Sequence, residues 1–295
     1  MTGRKKIVYQ GEPGANSHIA CREVYPDYDA VPCQTFEDCF AMIGSGTADL
    51  GMIPVENSIA GRVVDIHNLL PQSNLHIIGE YFLPIRHQLL GLAGTTLADI
   101  KTVQSHPQAI GQCRAHLREL GLVPVVGGDT AGSAREIAAA GDRSRGAIAS
   151  RLAAEIYNLD ILATDVEDED HNTTRFIILS AESLRAAAGL GPIMTTFVFN
   201  VRNLPAALYK ALGGFATGGV NMTRLESYMI DGQFTATQFL ADIEGHPDER
   251  HVARAFEELA FFADYRILGV YRASPFRERA LSADVTRLRV PVRGM

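Results

Sequence analysis

From Lys6 onward the chain repeats one pattern: a short apolar run, a glycine-bearing loop and an amphipathic helix. KIVYQG leads into a helix near residues 17–24, and FEDCFAMIGSG reads as a helix stopped by Gly44 and Gly46 before the buried strand DLGMIPV. Such alternation predicts a mainly parallel α/β sheet. A second set follows, with KTVQS, VPVV and GAIAS as strands and HPQAIGQCRAHLREL, AGSAREIAAAG and RLAAEIYNL as helices. Two α/β lobes are therefore expected, the second over about residues 84–162. LLGLAG after Arg86 reads as the crossing between them and ILATDVEDEDHNTTRFIIL as the return, which places the NTTRF stretch beside an interlobe cleft.

After the small-residue linker AESLRAAAGLG the pattern changes. IMTTFVFNV, LPAALYKALGGFA, GVNMTRLESYMI, QFTATQFLADIEG, PDERHVARAFEELAFFA and YRILGVY read in order as strand, helix, strand, strand, helix, strand. That βαββαβ order is the ferredoxin-like split unit. The expected division is a two-lobed domain over residues 1–182, a ferredoxin-like domain over 192–273 and an arginine-rich tail over 274–295.

Two domains also suit a chain of 295 residues, 46% of them hydrophobic. A formal charge of -7 with scattered arginines offers no stripe for phosphates, so nucleic acid is not an expected partner. MTGRKKIVYQGEPG lacks the apolar core of a signal peptide, and no apolar run is long enough to span a bilayer. A cytoplasmic protein with no membrane partner is expected, which argues against an exported solute-binding protein. Cys21, Cys33, Cys39 and Cys113 lack zinc-like spacing and read as packing residues; no metal and no cofactor is expected.

Ligands of open α/β sheets sit outside the carboxyl ends of strands. The polar clusters placed there are QGEPGANS, PVENSIAG, SHPQ, GDTAG and ASR. Each has two readings. Glu56, Asn57 and Ser58 form either a turn or a binding edge. Ser105 with Gln108 fits an S-x-x-Q capping box, and its hydroxyl either caps the helix or meets a ligand at the helix N-terminus. Thr130 reads as another N-cap. Gln112, two turns beyond Ser105, can face the same cleft. Arg175 offers a planar fork for a carboxylate or pairs with the acidic run before it. The residues point to a cleft for a small polar anion, rich in hydroxyls and amides, without an obvious nucleophile and base pair.

YQGEPGANS, GMIPVENSIAGRV, SHPQAIGQC, AAEIYNL and NTTRF, in this order, resemble the bacterial prephenate dehydratases, and the region after Met194 resembles the ACT regulatory domain that accompanies them. The resemblance covers residues 7–271 and implies two lobes like a type II periplasmic-binding protein, followed by an ACT domain. It implies conversion of prephenate to phenylpyruvate, water and carbon dioxide in phenylalanine synthesis. By position Thr174 is the essential threonine, a hydrogen-bond donor or proton relay at the departing hydroxyl, with Arg175 binding a carboxylate or orienting the threonines. Asn57, Ser105 and Gln112 match cleft positions, with Ser17, Ser58, Thr173 and Phe176 beside them. L-Phenylalanine is implied as effector, at a site of Ala207, Leu208, Asn221, Thr223, Glu226 and Ser227 between paired ACT domains of a homodimer or homotetramer.

Two segments depart from the family pattern: Ala206-Ala207-Leu208 stands where it shows G-A-L, and Glu226-Ser227-Tyr228-Met229 where it shows E-S-R-P. An arogenate dehydratase is a close variant of this reading. A non-catalytic cytosolic amino-acid sensor is the alternative from another class, and Thr174 beside Arg175 favours the enzyme.

Overall fold

A computed structural model describes residues 4–202, 204–229 and 236–284. The expected spans 192–273 and 274–295 therefore include residues 203, 230–235 and 285–295, which lie outside the described residues. The chain divides into two compact units, one of residues 1–75 and 83–182, the other of 76–82 and 183–295.

The first unit begins with β1 (Lys6–Gln10), α1 (Asn16–Val24), β2 (Asp29–Cys33), α2 (Phe36–Gly44), β3 (Leu50–Asn57), β4 (Gly61–Arg62) and α3 (Val64–Gln72). After β5 (His76–Pro84) come β6 (Gln88–Leu92), β7 (Thr102–Ser105), α4 (Pro107–Gln112), α5 (Arg114–Glu119), β8 (Val123–Val126), α6 (Thr130–Ala140), β9 (Arg145–Ala149), α7 (Arg151–Tyr157), β10 (Leu159–Ala163) and β11 (Thr173–Ser180). In the first lobe β1 lies parallel between β2 and β3, and β11 returns antiparallel on β3. The second lobe has strand order β10-β6-β9-β7-β8, with β7 parallel to both neighbours and β6 antiparallel to both of its own.

Period-two alternation builds the second lobe's core. Leu89, Val103 and Ile148 face one apolar layer with Cys113 and Leu117, while Leu90, Ala147 and Ala149 face the other with Ala134 and Ile137. Each buried leucine or isoleucine contributes about 1.5–3 kcal/mol relative to exposure. The expected crossing LLGLAG is thereby corrected, because its leucines are needed inside this sheet as β6. The crossing is residues 85–87, and it is bonded to the return: Ile85 N donates to Asn172 O at 2.8 Å and Val166 N to His87 O at 2.9 Å.

The second unit contains residues 76–82 of β5, then β12 (Ile193–Val201), α8 (Ala207–Thr217), β13 (Met222–Met229), β14 (Ala236–Glu244), α9 (Arg250–Phe262), β15 (Ala263–Arg272) and α10 (Pro275–Asp284). The strands run β13-β14-β12-β15, the order of a ferredoxin-like βαββαβ unit, and β5 adds parallel to β15. Phe197, Phe199, Phe215, Phe239 and Phe256 fill the layer between the sheet and its two helices. Gly269 is required where β15 meets β5, since a Cβ there would lie 2.2 Å from Ile77 O.

The segment expected as a tail begins as α10, packed on its own chain. Arg277 forks onto the buried Glu80 at 2.6 and 2.8 Å, and Phe276 stacks on Phe82 with ring centroids 4.6 Å apart. Among the described residues no helix is long and apolar enough to cross a membrane.

One backbone feature of this unit gives a stability prediction. Ala206, the N-cap of α8, sits in the left-handed region at φ 61°, where its Cβ crowds the backbone. Ala206→Gly removes that strain and is expected to raise stability by about 1 kcal/mol. Denaturant unfolding checks this, and a lower midpoint would contradict it.

Candidate active site

The carboxyl ends of β1, β2 and β3 and the start of α6 open onto a cleft of about 1030 Å³ in the first unit. An adjoining recess of about 400 Å³ shares Ala60, Gln108, Gln112 and Asn172 with it. Ser17, Asn57, Gln112, Thr174 and Phe176 of the expected set line the cleft.

Asn57 makes the turn and also lines the cleft. Its Oδ1 accepts from Ile59 N at 3.0 Å and Ala60 N at 2.8 Å, the turn expected of an asparagine. Its Nδ2 reaches Thr174 Oγ1 at 2.9 Å, directly across the β3–β11 ladder, and Asn172 Oδ1 at 2.7 Å. Thr174 Oγ1 thus accepts from Asn57, and among the described residues its own proton has no acceptor. Gln112 Oε1 receives Asn172 Nδ2 at 3.0 Å and lies 2.8 Å from His87 Nε2. His87, also on the cleft wall, was not among the expected residues. Burial lowers its pKa against the opposing hydrogen bond from Gln112, so the imidazole is neutral near pH 7.

The remaining expected residues lie elsewhere. Arg175 is only 2% exposed and pairs with Glu56 at 2.9 Å, its cross-strand partner. Alternation on β11 turns Thr174 and Phe176 to one face and Arg175 to the other. Ser58 and Thr173 staple β3 to the return: Ser58 N donates to Thr173 O and Thr173 N to Ser58 Oγ, both at 2.9 Å, and Ser58 Oγ donates to His171 O. Ser105 is fully buried at the end of β7, where its hydroxyl donates to Ile148 O at 2.7 Å. The expected S-x-x-Q box is corrected too, because Pro107 occupies the first helical position and His106 is the N-cap, accepting from Gln108 N. Thr130 likewise yields its expected N-cap role to Asp129, whose carboxylate accepts from Gly132 N at 2.6 Å, though Thr130 lines the cleft.

Among the described residues the permanent cation lining the cleft is Arg62, carried in by the β3–β4 hairpin. Its signal was present in ENSIAGR, where a turn of Asn57 returns the chain at Gly61. α1 adds positive potential, since Ala15, Asn16 and Ser17 of its first turn line the cleft without a side-chain cap. Cys33 reaches the wall as well, but burial raises its pKa and leaves a neutral thiol; all four cysteines are buried and unpaired. The cleft therefore combines a cation, a helix N-terminus and an outward hydroxyl, an arrangement that can hold an anion and donate a hydrogen bond to a departing oxygen.

In the second unit Ala207 and Leu208 open α8 and pack against the phenylalanine layer. Asn221 Nδ2 donates to Glu244 at 3.0 Å, Thr223 Oγ1 to Asp242 O at 3.5 Å, and Glu226 accepts from Arg224 Nε at 3.0 Å. Ser227 stands on β13 opposite Phe239.

Residues 7–184 match the family described as prephenate dehydratase. A relative from Komagataeibacter europaeus, named bifunctional N-acyl-homoserine lactone acylase/prephenate dehydratase, is 53% identical over 95% of this chain and 100% of its own. Arogenate dehydratase 2 of Petunia hybrida is 37% identical over 91% of this chain and 72% of its own. The crystal structure of prephenate dehydratase from Arthrobacter aurescens in complex with L-Phe superposes with a TM-score of 0.84 at 29% identity, covering 95% of this chain and 98% of that one.

Proposed function

The chain belongs to the prephenate dehydratase family, and from that premise we propose that its cleft converts prephenate to phenylpyruvate, water and carbon dioxide under control by L-phenylalanine. The observation that carries the reading is the Thr174 hydroxyl, which lines the cleft and accepts its hydrogen bond from Asn57, so that its own proton is left to donate to a bound ligand. In the reaction the electron pair of the bond to the ring carboxylate moves through the ring and expels the hydroxyl as that ring becomes aromatic. The departing oxygen gathers negative charge, so a donor placed there stabilises the transition state more than the ground state. A threonine hydroxyl is too weak an acid to surrender its proton outright; it donates a hydrogen bond or relays a proton that comes from solvent.

On the same reading the substrate's two charges take different places. Arg62 and the open first turn of α1 suit the carboxylate that stays, whereas the ring carboxylate must be left free to depart. Arg175 orients the Thr174 strand through Glu56 rather than touching substrate. Arg62→Ala is expected to raise KM for prephenate about tenfold or more with a smaller change in kcat, the pattern of lost uniform binding. A KM within a factor of about two of the parent value would remove Arg62 from the binding site.

The ferredoxin-like unit is read as an ACT domain that binds phenylalanine at Ala207, Leu208, Asn221, Thr223, Glu226 and Ser227 and pairs with that of another subunit. Support comes from its βαββαβ order and from the Arthrobacter relative, whose structure holds L-Phe. Feedback requires that phenylalanine favour one arrangement of the paired domains that disfavours turnover.

A second reading rests on the 53% identical relative, which is named as an acylase as well. One assay addresses all of these: the purified chain is given prephenate, arogenate and an N-acyl-homoserine lactone in parallel, each with and without phenylalanine. Phenylpyruvate formed from prephenate and suppressed by phenylalanine is the expected result. Turnover of arogenate alone would transfer the reading to an arogenate dehydratase, and no turnover by folded protein would leave an amino-acid sensor.

A further inference from the structure

The hydrogen bonds behind Thr174 have a direction, and it can be followed to its far end. Backbone N–H groups only donate, so Ile59 N and Ala60 N, at 3.0 and 2.8 Å, fix which end of the Asn57 amide is oxygen. The Asn57 nitrogen then faces Thr174 Oγ1 and Asn172 Oδ1. With its oxygen so committed, Asn172 presents Nδ2 to Gln112 Oε1 at 3.0 Å. That oxygen has nothing to donate, so the group 2.8 Å from it, His87 Nε2, must carry a proton.

We propose that His87 is a positioning residue for the dehydration: its Nε2–H holds Gln112 and, through Gln112, Asn172 and Asn57, keeps the Thr174 hydroxyl proton aimed into the cleft. The inference rests on the dehydratase reading of the Thr174 site. His87 lies in the 85–87 crossing, Gln112 on α4 of the second lobe, Asn172 on the return, and Asn57 and Thr174 on the first-lobe sheet. The relay therefore joins both lobes to one hydroxyl. The ring is well fixed for this role, being 4% exposed, with its backbone N–H held by Glu167 Oε2 at 2.8 Å and its carbonyl by Val166 N. Burial also favours the uncharged ring.

Two variants and one measurement on the parent protein test this. His87→Phe keeps a flat ring but removes the donor, and kcat for prephenate is expected to fall about tenfold with KM changed less than about threefold. His87→Gln sets an amide N–H near the position of Nε2 and is expected to recover most of the loss. Unchanged kcat in His87→Phe, or equal losses in both variants, would overturn the proposal. Nitrogen-detected NMR of the parent protein is expected to show the Nε2–H tautomer at His87, and an Nδ1–H tautomer would overturn it without reference to folding of any variant. If the parent protein fails to turn over prephenate, the dehydratase reading itself has failed, and the positioning role proposed for His87 falls with it.

Discussion

Thr174→Ala is expected to lower kcat for prephenate by about a hundredfold or more while KM moves far less. Ala leaves the strand, the β3–β11 register and the Asn57 turn in place, because Thr174 contributes only its Oγ1 to the side-chain network and its backbone to the ladder. On the proposed mechanism, what disappears is the donor at the departing hydroxyl, an interaction that matters mainly as charge builds on that oxygen. Thr174→Ser, which keeps the donor, should retain most of the rate. Steady-state kinetics on both variants checks the pair of expectations, and a kcat for Thr174→Ala equal to that of the parent would remove Thr174 from the reaction.

Asn57→Asp is expected to cost about as much, roughly a hundredfold in kcat, for a different reason. A carboxylate has no proton to give, so the Thr174 hydroxyl would turn back and donate to it, leaving the cleft without its donor. The new charge would also face Ile59 N and Ala60 N, which it satisfies at least as well as the amide did, so the turn survives. The variant thus reverses the direction of the relay, and Asn172, whose Oδ1 would otherwise face the new carboxylate, must turn its amide to follow. Circular dichroism and an unfolding midpoint near the parent's should accompany the lost turnover. A folded Asn57→Asp enzyme with parental kcat would show that the direction of this hydrogen bond is immaterial.

Much of the frame was legible because it depends on local chemistry. The alternation of strand, glycine loop and helix set out both lobes, and the βαββαβ order of the second unit was present in its apolar periodicity. The threonine at 174 and the amide at 57 lie at strand ends, and the amide at 112 closes α4. The residues that the structure places away from their expected roles as caps or on the other strand face divide by cause. Ser105 and Thr130 were each one residue off the true cap; Pro107, which favours the first helical position, already pointed to His106. Arg175 could have been turned away by strand alternation alone, since Thr174 and Phe176 take the cleft face.

Other features had no local signal. His87 meets Gln112 only because the crossing and α4 are brought together in three dimensions. α10 has no apolar period to announce it; what anchors it is the pairing of Arg277 with Glu80, a residue of the distant β5. LLGLAG reads as a crossing because four apolar residues among two glycines suit a crossing and a buried strand equally well, and only the position of β9 and β10 on either side decides for a strand.

The central claim is that one cleft removes carbon dioxide and water from prephenate together, with the Thr174 hydroxyl at the departing oxygen. Its most direct test is the stoichiometry of product formation by the purified chain: prephenate consumed, phenylpyruvate formed and carbon dioxide released, followed in parallel for the parent protein and Thr174→Ala. Equal amounts of all three from the parent, with the variant slowed but giving the same ratio, is the predicted result. Folded parent protein that binds prephenate and releases neither product would contradict the account.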